Sequence, residues 1–313
     1  MSKSFAIIGT GALGGLYGGL LARSGNEVHF LLRSDFEAIQ ENGLEIQSPI
    51  CDFRLEHPNI YRQSSQMPKV DVAVVAWKTT SNDHLEEVLH NVCHDESIVL
   101  VLQNGLDSEA AAAAVVGTDR VLGGCCFLCS NKIAPGVIHH LDYGRITFGE
   151  YAAAKAGPPS ERMQELMTIF QRSQIDLVGV ENLRIARWKK LAWNIPFNGL
   201  NVVLDANTDK IMSDKDTRQL AEDLMWEVRE AASADGATFE EEHIPKLLAA
   251  TEKMVPYASS MYLDYQAGRP LEVDAIVGEP LRTARENGYE PKKMAMLYQQ
   301  LRFLDRAGRT ASA

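Results

Sequence analysis

One lysine and two asparagines recur every four residues in an apolar stretch in the second half of the chain. Lys190, Asn194 and Asn198 belong to the segment Trp-Lys-Lys-Leu-Ala-Trp-Asn-Ile-Pro-Phe-Asn, residues 188–198. This spacing places the three side chains on one face of an α-helix. Burying them among apolar residues without polar partners would be costly, so we expect them to line a cleft that holds polar ligand atoms. A lysine in such a cleft can donate a proton.

A glycine-rich turn near the start of the chain predicts a dinucleotide. The turn is Gly9-Thr10-Gly11-Ala12-Leu13-Gly14, which follows an apolar run at Ser4–Ile8 and precedes a helical pattern. In this context G-x-G-x-x-G allows a tight turn, close backbone approach and contact of the pyrophosphate with free N–H groups of the helix. A turn required by packing alone is the alternative interpretation.

The position after the second predicted strand bears on the choice of cofactor. An NAD-binding unit usually has an acidic residue there, which binds the ribose hydroxyls. This chain has Arg33. An arginine favours the 2′-phosphate of NADP, and a solvated surface arginine is the alternative.

Two further polar residues follow predicted strands at the edge where a doubly wound sheet binds ligands. Lys78 comes after Val74-Val-Ala-Trp, and Asn104 lies in Leu102-Gln-Asn-Gly. Both can reach the cofactor or the substrate. Each is equally well explained as a turn residue, since Asn-Gly is a common turn pair.

Strand and helix patterns alternate in the first half and give way to helices in the second. Continuous β-branched runs at 71–76 and 97–102, separated by helical stretches, predict an α/β domain with a Rossmann-type, doubly wound parallel sheet over residues 1–182. Helical patterns at 220–235, 244–249, 273–287 and 292–307 predict an all-helical domain over 183–313. Pro196 is expected to kink or interrupt the first helix of that domain.

Composition excludes several classes of partner. The 313 residues are 45% hydrophobic and 23% charged, as in ordinary globular proteins, and the formal net charge of −11 disfavours nucleic acid and anionic lipid.

Five cysteines, an odd number, fit reduced thiols in the cytoplasm better than a disulfide framework. Cys126 and Cys129 form one C-x-x-C pair without a second ligand pair, so we expect buried thiols and no metal. No cleaved leader or membrane span is expected.

Together these motifs resemble the ketopantoate reductase family, also called 2-dehydropantoate 2-reductase. The resemblance rests on the order of the glycine turn, Arg33, Lys78, Gln103-Asn104-Gly, the lysine and asparagine series of 188–198, and Ser259-Ser-Met. It spans nearly the whole chain. It implies reduction of ketopantoate to pantoate with NADPH, on the way to pantothenate and coenzyme A, in a cleft between a Rossmann domain and a helical domain.

The resemblance also implies roles for individual residues. Lys190 corresponds to the catalytic lysine, Asn194 and Asn198 to substrate-binding asparagines, and Ser260 to a serine that binds the substrate carboxylate. Glu272 corresponds to an acid that holds the substrate hydroxyl and orients the lysine, next to the cofactor; a solvated carboxylate is the alternative. Lys78 and Asn104 match positions between cofactor and substrate.

The sequence departs from the family pattern after Asn198. Gly199 stands where members often have proline, and the segment 204–208 replaces a familiar asparagine-bearing loop. The alternatives are therefore a reductase of another small 2-oxo acid on the same scaffold, and a regulatory protein that senses NADP without turnover. Apolar helix faces in the second half can pack within the chain or against a second copy, and we favour a homodimer.

Overall fold

The chain forms two compact units in this computed structural model, which describes residues 3–152 and 157–311. The first unit extends to residue 103 and continues from 108 to 183. The second contains 104–107 and continues from residue 184. A four-residue segment whose neighbours on both sides belong to the first unit is therefore part of the second.

A sheet of ten strands, counted over the described residues, is the basis of the first unit. The strands are β1 (Ser4–Ile8), β2 (Glu27–Leu31), β3 (Leu44–Gln47), β4 (Phe53–Leu55), β5 (Asn59–Tyr61), β6 (Val70–Val75), β7 (Cys93–Val101), β8 (Val121–Ala134), β9 (Val137–Glu150) and β10 (Leu177–Gly179). Neighbouring strands follow the order β4-β3-β9-β8-β7-β6-β1-β2-β5, and β10 pairs with β9. The pairs that β1 forms with β2 and β6, and β6 with β7, are parallel. The predicted Rossmann-type sheet is confirmed.

Side chains alternate between two cores on opposite faces of this sheet. Phe5 and Ile7 of β1 belong to one cluster, whereas Ala6 and Ile8 belong to the other. This alternation is the period of a strand buried on both faces. The helices of the unit are α1 (Ala12–Arg23), α2 (Phe36–Asn42), α3 (Leu85–Val92), α4 (Ala110–Val116) and α5 (Glu161–Arg172).

The long hairpin formed by β8 and β9 was not predicted. The two strands are antiparallel, with Ala134 opposite Val137 across a two-residue turn. Pro135 and Gly136 occupy this turn, and Gly136 has a φ of 72°, which a glycine adopts without strain. The sheet is therefore mixed at this side, although its centre is parallel.

The second unit has helices and no strand among its described residues, which confirms the predicted class. Its helices are α6 (Leu183–Val203), α7 (Thr208–Ser213), α8 (Lys215–Ala234), α9 (His243–Glu252), α10 (Ser260–Gln266), α11 (Glu279–Glu286) and α12 (Lys292–Ala311). One apolar core includes Trp188 of α6, Leu224 of α8 and Leu301 of α12. Pro196 lies inside α6, which continues to Val203 despite the missing donor.

Two details of the helical unit differ from the expected pattern. The helix expected over 273–287 opens with a π-helical turn at Asp274–Gly278, before α11. The short helices α7 and α10 were not predicted. Both follow an asparagine or serine at the preceding position, which is a weak helix-start signal when the helix has only six or seven residues.

Candidate active site

The turn between β1 and α1 contains two glycines that close packing requires and one glycine that leaves empty space beside it. A Cβ on Gly9 would lie 2.5 Å from the backbone nitrogen of Trp77, and one on Gly14 would lie 2.1 Å from the Gly9 carbonyl oxygen. A Cβ on Gly11 would meet no atom within 4 Å. Gly11 is the N-cap of α1 and supplies no side-chain cap. The first turn of α1 thus has no side-chain cap, and Gly11 leaves space at its start, as a pyrophosphate would require.

The residues after β2 carry one exposed cation and one buried acid. Arg33 is exposed, whereas Asp35 is buried. The Asp35 carboxylate accepts hydrogen bonds from Lys132 Nζ at 2.8 Å and from the Gly136 N–H at 3.2 Å. Burial raises the pKa of Asp35, but bonds from Lys132, Ser34 and Gly136 outweigh it and lower the pKa below the ordinary value. Asp35 is thus held in the interior by its hydrogen bonds, whereas the charged side chain of Arg33 is exposed to solvent.

Lys78 lies just before a 3₁₀-helix, Thr79–His84, and is half-buried. Hydrogen bonds fix the surrounding backbone. Gln103 donates from Nε2 to Asn82 Oδ1 at 2.7 Å and to the Trp77 carbonyl at 3.1 Å. The Trp77 indole N–H also donates to Asn82, at 3.1 Å. The ends of β6 and β7 are therefore connected by side chains next to Lys78.

Helix α6 carries Lys190, Asn194 and Asn198 as the spacing predicted. Lys190 Nζ donates a hydrogen bond to Asn104 Oδ1 at 2.7 Å. Asn194 and Asn198 are only 6% and 3% exposed. Buried amides are normally bonded, because an unpaired one costs about 1–3 kcal/mol. Two nearly buried amides at helical spacing from a lysine are therefore candidates for binding a ligand.

The remaining substrate-site candidates lie in two other segments of the helical unit. Ser260 is exposed in the first turn of α10, while its neighbour Ser259 is fully buried and caps that helix by accepting from the Tyr262 N–H. The Ser259 N–H donates to Asn201 Oδ1 at 3.3 Å. Asn201 was not among the predicted residues, although it continues the asparagine series of α6 at a spacing of three. It connects α6 to the segment that carries Ser260.

Glu272 is 8% exposed and immediately precedes the π-helical turn. Its carbonyl oxygen accepts a hydrogen bond from the Ile276 N–H at 3.1 Å. Turns of this kind are frequent at functional sites because the wider turn redirects nearby groups. A buried carboxylate also needs partners, so a purely solvated Glu272 does not describe this structure.

The described residues lack two further kinds of feature, a metal-binding cluster and a membrane-spanning helix. No group of three or more histidine, cysteine, aspartate or glutamate side chains there could hold a metal ion. None of the described helices combines the length and the apolar character needed to cross a bilayer. Cys126 and Cys129 are buried in β8 and are not joined in a disulfide.

Comparison with known proteins places the chain in a family. The family model described as ketopantoate reductase PanE/ApbA matches residues 5–153, and its C-terminal counterpart matches residues 182–305. The chain belongs to the ketopantoate reductase family. A 2-dehydropantoate 2-reductase from Nostoc sp. is 48% identical over 98% of this chain and 97% of its own length.

Solved structures agree with this placement in the ketopantoate reductase family. A 2-dehydropantoate 2-reductase from Geobacter metallireducens superposes with a TM-score of 0.91 at 40% identity, covering 96% of this chain and 99% of its own. A D-mandelate dehydrogenase solved with NADH and anilino(oxo)acetate has a TM-score of 0.87 at 20% identity, covering 97% and 99%. At that identity the second likeness concerns the fold alone.

Proposed function

We propose that this chain reduces 2-dehydropantoate to pantoate with NADPH, a step towards pantothenate and coenzyme A. Membership of the ketopantoate reductase family and the 48% identical relative support the reaction. The observation that carries the proposal is the α6 face, which places the nearly buried carboxamides of Asn194 and Asn198 at helical spacing from Lys190. Such groups can bind the oxygen atoms of a small polar acid without adding charge.

Lys190 is the proposed proton donor. A bound nicotinamide supplies hydride to the keto carbon. Negative charge then develops on the keto oxygen, and an ammonium group within hydrogen-bond reach stabilises that charge and delivers the proton. Asn104 accepts from Lys190 Nζ, which limits the directions in which the lysine can point.

Other residues of the helical unit are proposed to hold the substrate. Asn194 and Asn198 bind its oxygen atoms, and the exposed hydroxyl of Ser260 binds its carboxylate. Glu272 accepts a hydrogen bond from the substrate hydroxyl and orients the lysine, next to the cofactor. Its burial before the π-helical turn supports a fixed position for this carboxylate.

The first unit is proposed to hold NADPH. The turn 9–14 fits a pyrophosphate, because Gly11 leaves open space before uncapped N–H groups. Arg33 is proposed to bind the 2′-phosphate, since a guanidinium forms strong, bidentate bonds with phosphate. Lys78 of this unit follows β6, at the edge where doubly wound sheets bind ligands, and is proposed to contact the cofactor as well. Asn104, which belongs to the second unit, is proposed as a further cofactor contact.

Gly199 does not argue against this substrate. A Cβ at position 199 would lie 2.6 Å from Cδ2 of Leu297. The position therefore points into the packing of α6 against α12, and glycine there is explained by space in the core. The departure from the family's usual proline need not change the pocket.

The deciding experiment follows NADPH oxidation with ketopantoate beside a panel of other 2-oxo acids, with NADH in parallel. Selective turnover of ketopantoate with NADPH is expected. Turnover of a different acid would preserve the mechanism and replace the substrate. Cofactor binding without turnover of any acid would contradict the proposal and favour an NADP sensor.

We also propose a cytoplasmic homodimer. The five cysteines all lie in the described residues and form no disulfide there, which suits a reducing compartment. On the helical unit, Leu204 and Phe303 are exposed apolar side chains, and a second copy would cover them. Light scattering after size-exclusion chromatography is expected to give twice the chain mass of 34.6 kDa, and the chain mass itself would contradict a dimer.

A further inference from the structure

The segment from Asn104 to Asp107 is pinned to the rest of the helical unit at three successive places. Asn104 accepts from Lys190 Nζ at 2.7 Å, and the Leu106 N–H donates to the Ala275 carbonyl at 3.2 Å. Asp107 accepts two bonds from Nη1 of Arg184, at 2.9 and 3.0 Å. A segment with three anchors in four residues is held far more tightly than a surface turn requires.

The backbone of this segment is strained in a way that the anchors must offset. Asp107 has a φ of 53° and Gly105 a φ of 106°. Left-handed backbone costs a non-glycine residue roughly 1–2 kcal/mol, and it persists only where the surroundings impose it. A Cβ on Gly105 would lie 2.5 Å from the Ala275 carbonyl oxygen, so the segment approaches the π-helical turn at backbone distance.

Arg184 is the centre of the anchor at Asp107. Its guanidinium also donates to Asp235, through Nε and through Nη2, the latter at 2.9 Å. Trp188, one turn further along α6, donates its indole N–H to the same carboxylate at 2.7 Å. Burial lowers the pKa of Arg184, but hydrogen bonds and charge from Asp235 and Asp107 raise it above the ordinary value. The arginine is therefore charged and fixed in orientation.

These contacts close a ring that contains the proposed proton donor. Helix α6 supplies Arg184 and Lys190, six positions apart, and the segment 104–107 supplies Asp107 and Asn104, three positions apart. Arg184 binds Asp107 at one end, and Lys190 binds Asn104 at the other. The lysine side chain is long and flexible, so an acceptor fixed relative to its own helix reduces its freedom.

We propose that Asp107, through its ion pair with Arg184, is a positioning residue that holds Asn104 where it orients Lys190. This inference rests on the proposed role of Lys190. Displacement of a reacting group by about 1 Å can lower a rate about a hundredfold. Asp107 therefore controls the proton donor without touching the substrate or the cofactor.

The first test is Asp107→Asn, which removes the charge but retains a residue that tolerates left-handed backbone. We expect kcat to fall roughly tenfold, because the charged bond that holds the segment 104–107 to Arg184 is lost. Glu252→Gln is the matched control. It breaks the Arg218–Glu252 ion pair of 2.9 Å elsewhere in the same unit and should leave kcat unchanged.

A double-mutant cycle separates positioning from a general effect on folding. If Asp107 acts through Asn104, adding Asp107→Asn to Asn104→Ala should lower kcat no further. Independent, multiplying losses would overturn the inference. Asp107→Gly serves if Asp107→Asn folds poorly, since glycine adopts the observed φ without strain.

A chemical readout keeps this inference distinct from the proposed function. Acetic anhydride labelling followed by peptide mass spectrometry measures how fast Lys190 reacts relative to Lys189. Asp107→Asn should raise the relative rate at Lys190 at least twofold, and Glu252→Gln should not change it. An unchanged rate would overturn the positioning role. A raised rate in a chain whose Lys190→Ala variant retains full turnover would support positioning and reject the lysine as proton donor.

Discussion

Two adjacent lysines on α6 show how local contacts distinguish a candidate catalytic group from a surface charge. Lys189 Nζ lies 2.9 Å from Glu240 Oε2 in a partly exposed ion pair. Lys190 instead donates to the neutral amide of Asn104. The bond to Asn104 connects Lys190 to another candidate site residue, whereas the bond to Glu240 holds Lys189 in a partly exposed ion pair.

We expect Lys190→Ala to lower kcat about a hundredfold or more, because the proposed proton donor is lost. The dissociation constant for NADPH, measured by fluorescence titration, should change little. Lys189→Ala is the matched control and should retain near-normal turnover. A nearly normal kcat in Lys190→Ala would remove this residue from the mechanism.

Arg33 is the residue on which the choice between NADPH and NADH is proposed to depend. We expect Arg33→Ala to weaken NADPH binding about 10–100-fold, since charge-assisted bonds contribute about 1.5–3 kcal/mol, and to leave NADH binding within about twofold. Isothermal titration with both nucleotides measures this. Arg54→Ala, which removes another partly exposed arginine of the same unit, should affect neither. Equal losses for NADH and NADPH would show that Arg33 does not read the phosphate.

At the scale of elements, two glycines of the β1–α1 turn differ in the space around them. Close packing requires glycine at one position, and ligand binding is proposed to require it at the other. Gly14→Ala would place a methyl group 2.1 Å from the Gly9 carbonyl oxygen and 3.0 Å from Ile7 Cγ2. We expect it to lower the free energy of unfolding by about 1–3 kcal/mol. Gly11→Ala meets no atom within 4 Å, so stability should hold while NADPH binding weakens at least tenfold. Urea unfolding and nucleotide titration separate the two, and normal NADPH binding by Gly11→Ala would exclude this turn as the pyrophosphate site.

The loop after β2 is tied to the β8–β9 hairpin through Asp35, and this tie should depend on pH. Because the folded-state pKa of Asp35 is lowered from 3.8, its contribution to stability is present above the unfolded-state pKa and is lost as pH falls through the folded-state pKa. We expect Asp35→Asn to lose about 1–3 kcal/mol of stability at pH 7, with the loss shrinking below about pH 4.

The control for this prediction is Asp176→Asn, which removes an exposed ion pair with Arg145 at 2.6 Å. Such pairs contribute little, so its loss should stay below about 1 kcal/mol at either pH. Urea midpoints at pH 7 and pH 3.5 provide the comparison. A loss in Asp35→Asn that is the same at both pH values would contradict a role for the carboxylate charge.

Elements with a strong local signal could be predicted, whereas those defined by distant partners could not. Continuous apolar runs gave β1 and β6 nearly to the residue, because burial on both faces leaves a plain pattern. The β8–β9 hairpin was not predicted, because its two strands combine buried, half-buried and exposed residues without a regular period. The π-helical turn before α11 has the same apolar pattern as an α-helix, so the sequence does not distinguish the two kinds of helix there.

The candidate site shows the same division at the scale of the whole molecule. Lys190, Asn194 and Asn198 could be found because they share one helix and one spacing. The bond between Asn104 and Lys190 spans 86 positions, and nothing in the local sequence assigns 104–107 to the helical unit. The ring of Asp107 and Arg184 likewise depends on a contact 77 positions apart. Such partners become visible only when the chain is folded.

Ligand binding should therefore leave two separate footprints along the chain, which hydrogen–deuterium exchange can resolve. NADP⁺ alone is expected to slow exchange at residues 9–14, where free N–H groups would acquire phosphate partners. Adding ketopantoate to the NADP⁺ complex, which cannot turn over, should slow exchange further at 104–107, where the Leu106 N–H is bonded to Ala275. Peptides from β4 serve as the unaffected control. Protection by ketopantoate confined to residues 9–14 would show that the helical unit does not bind the acid, and would contradict the proposed substrate site.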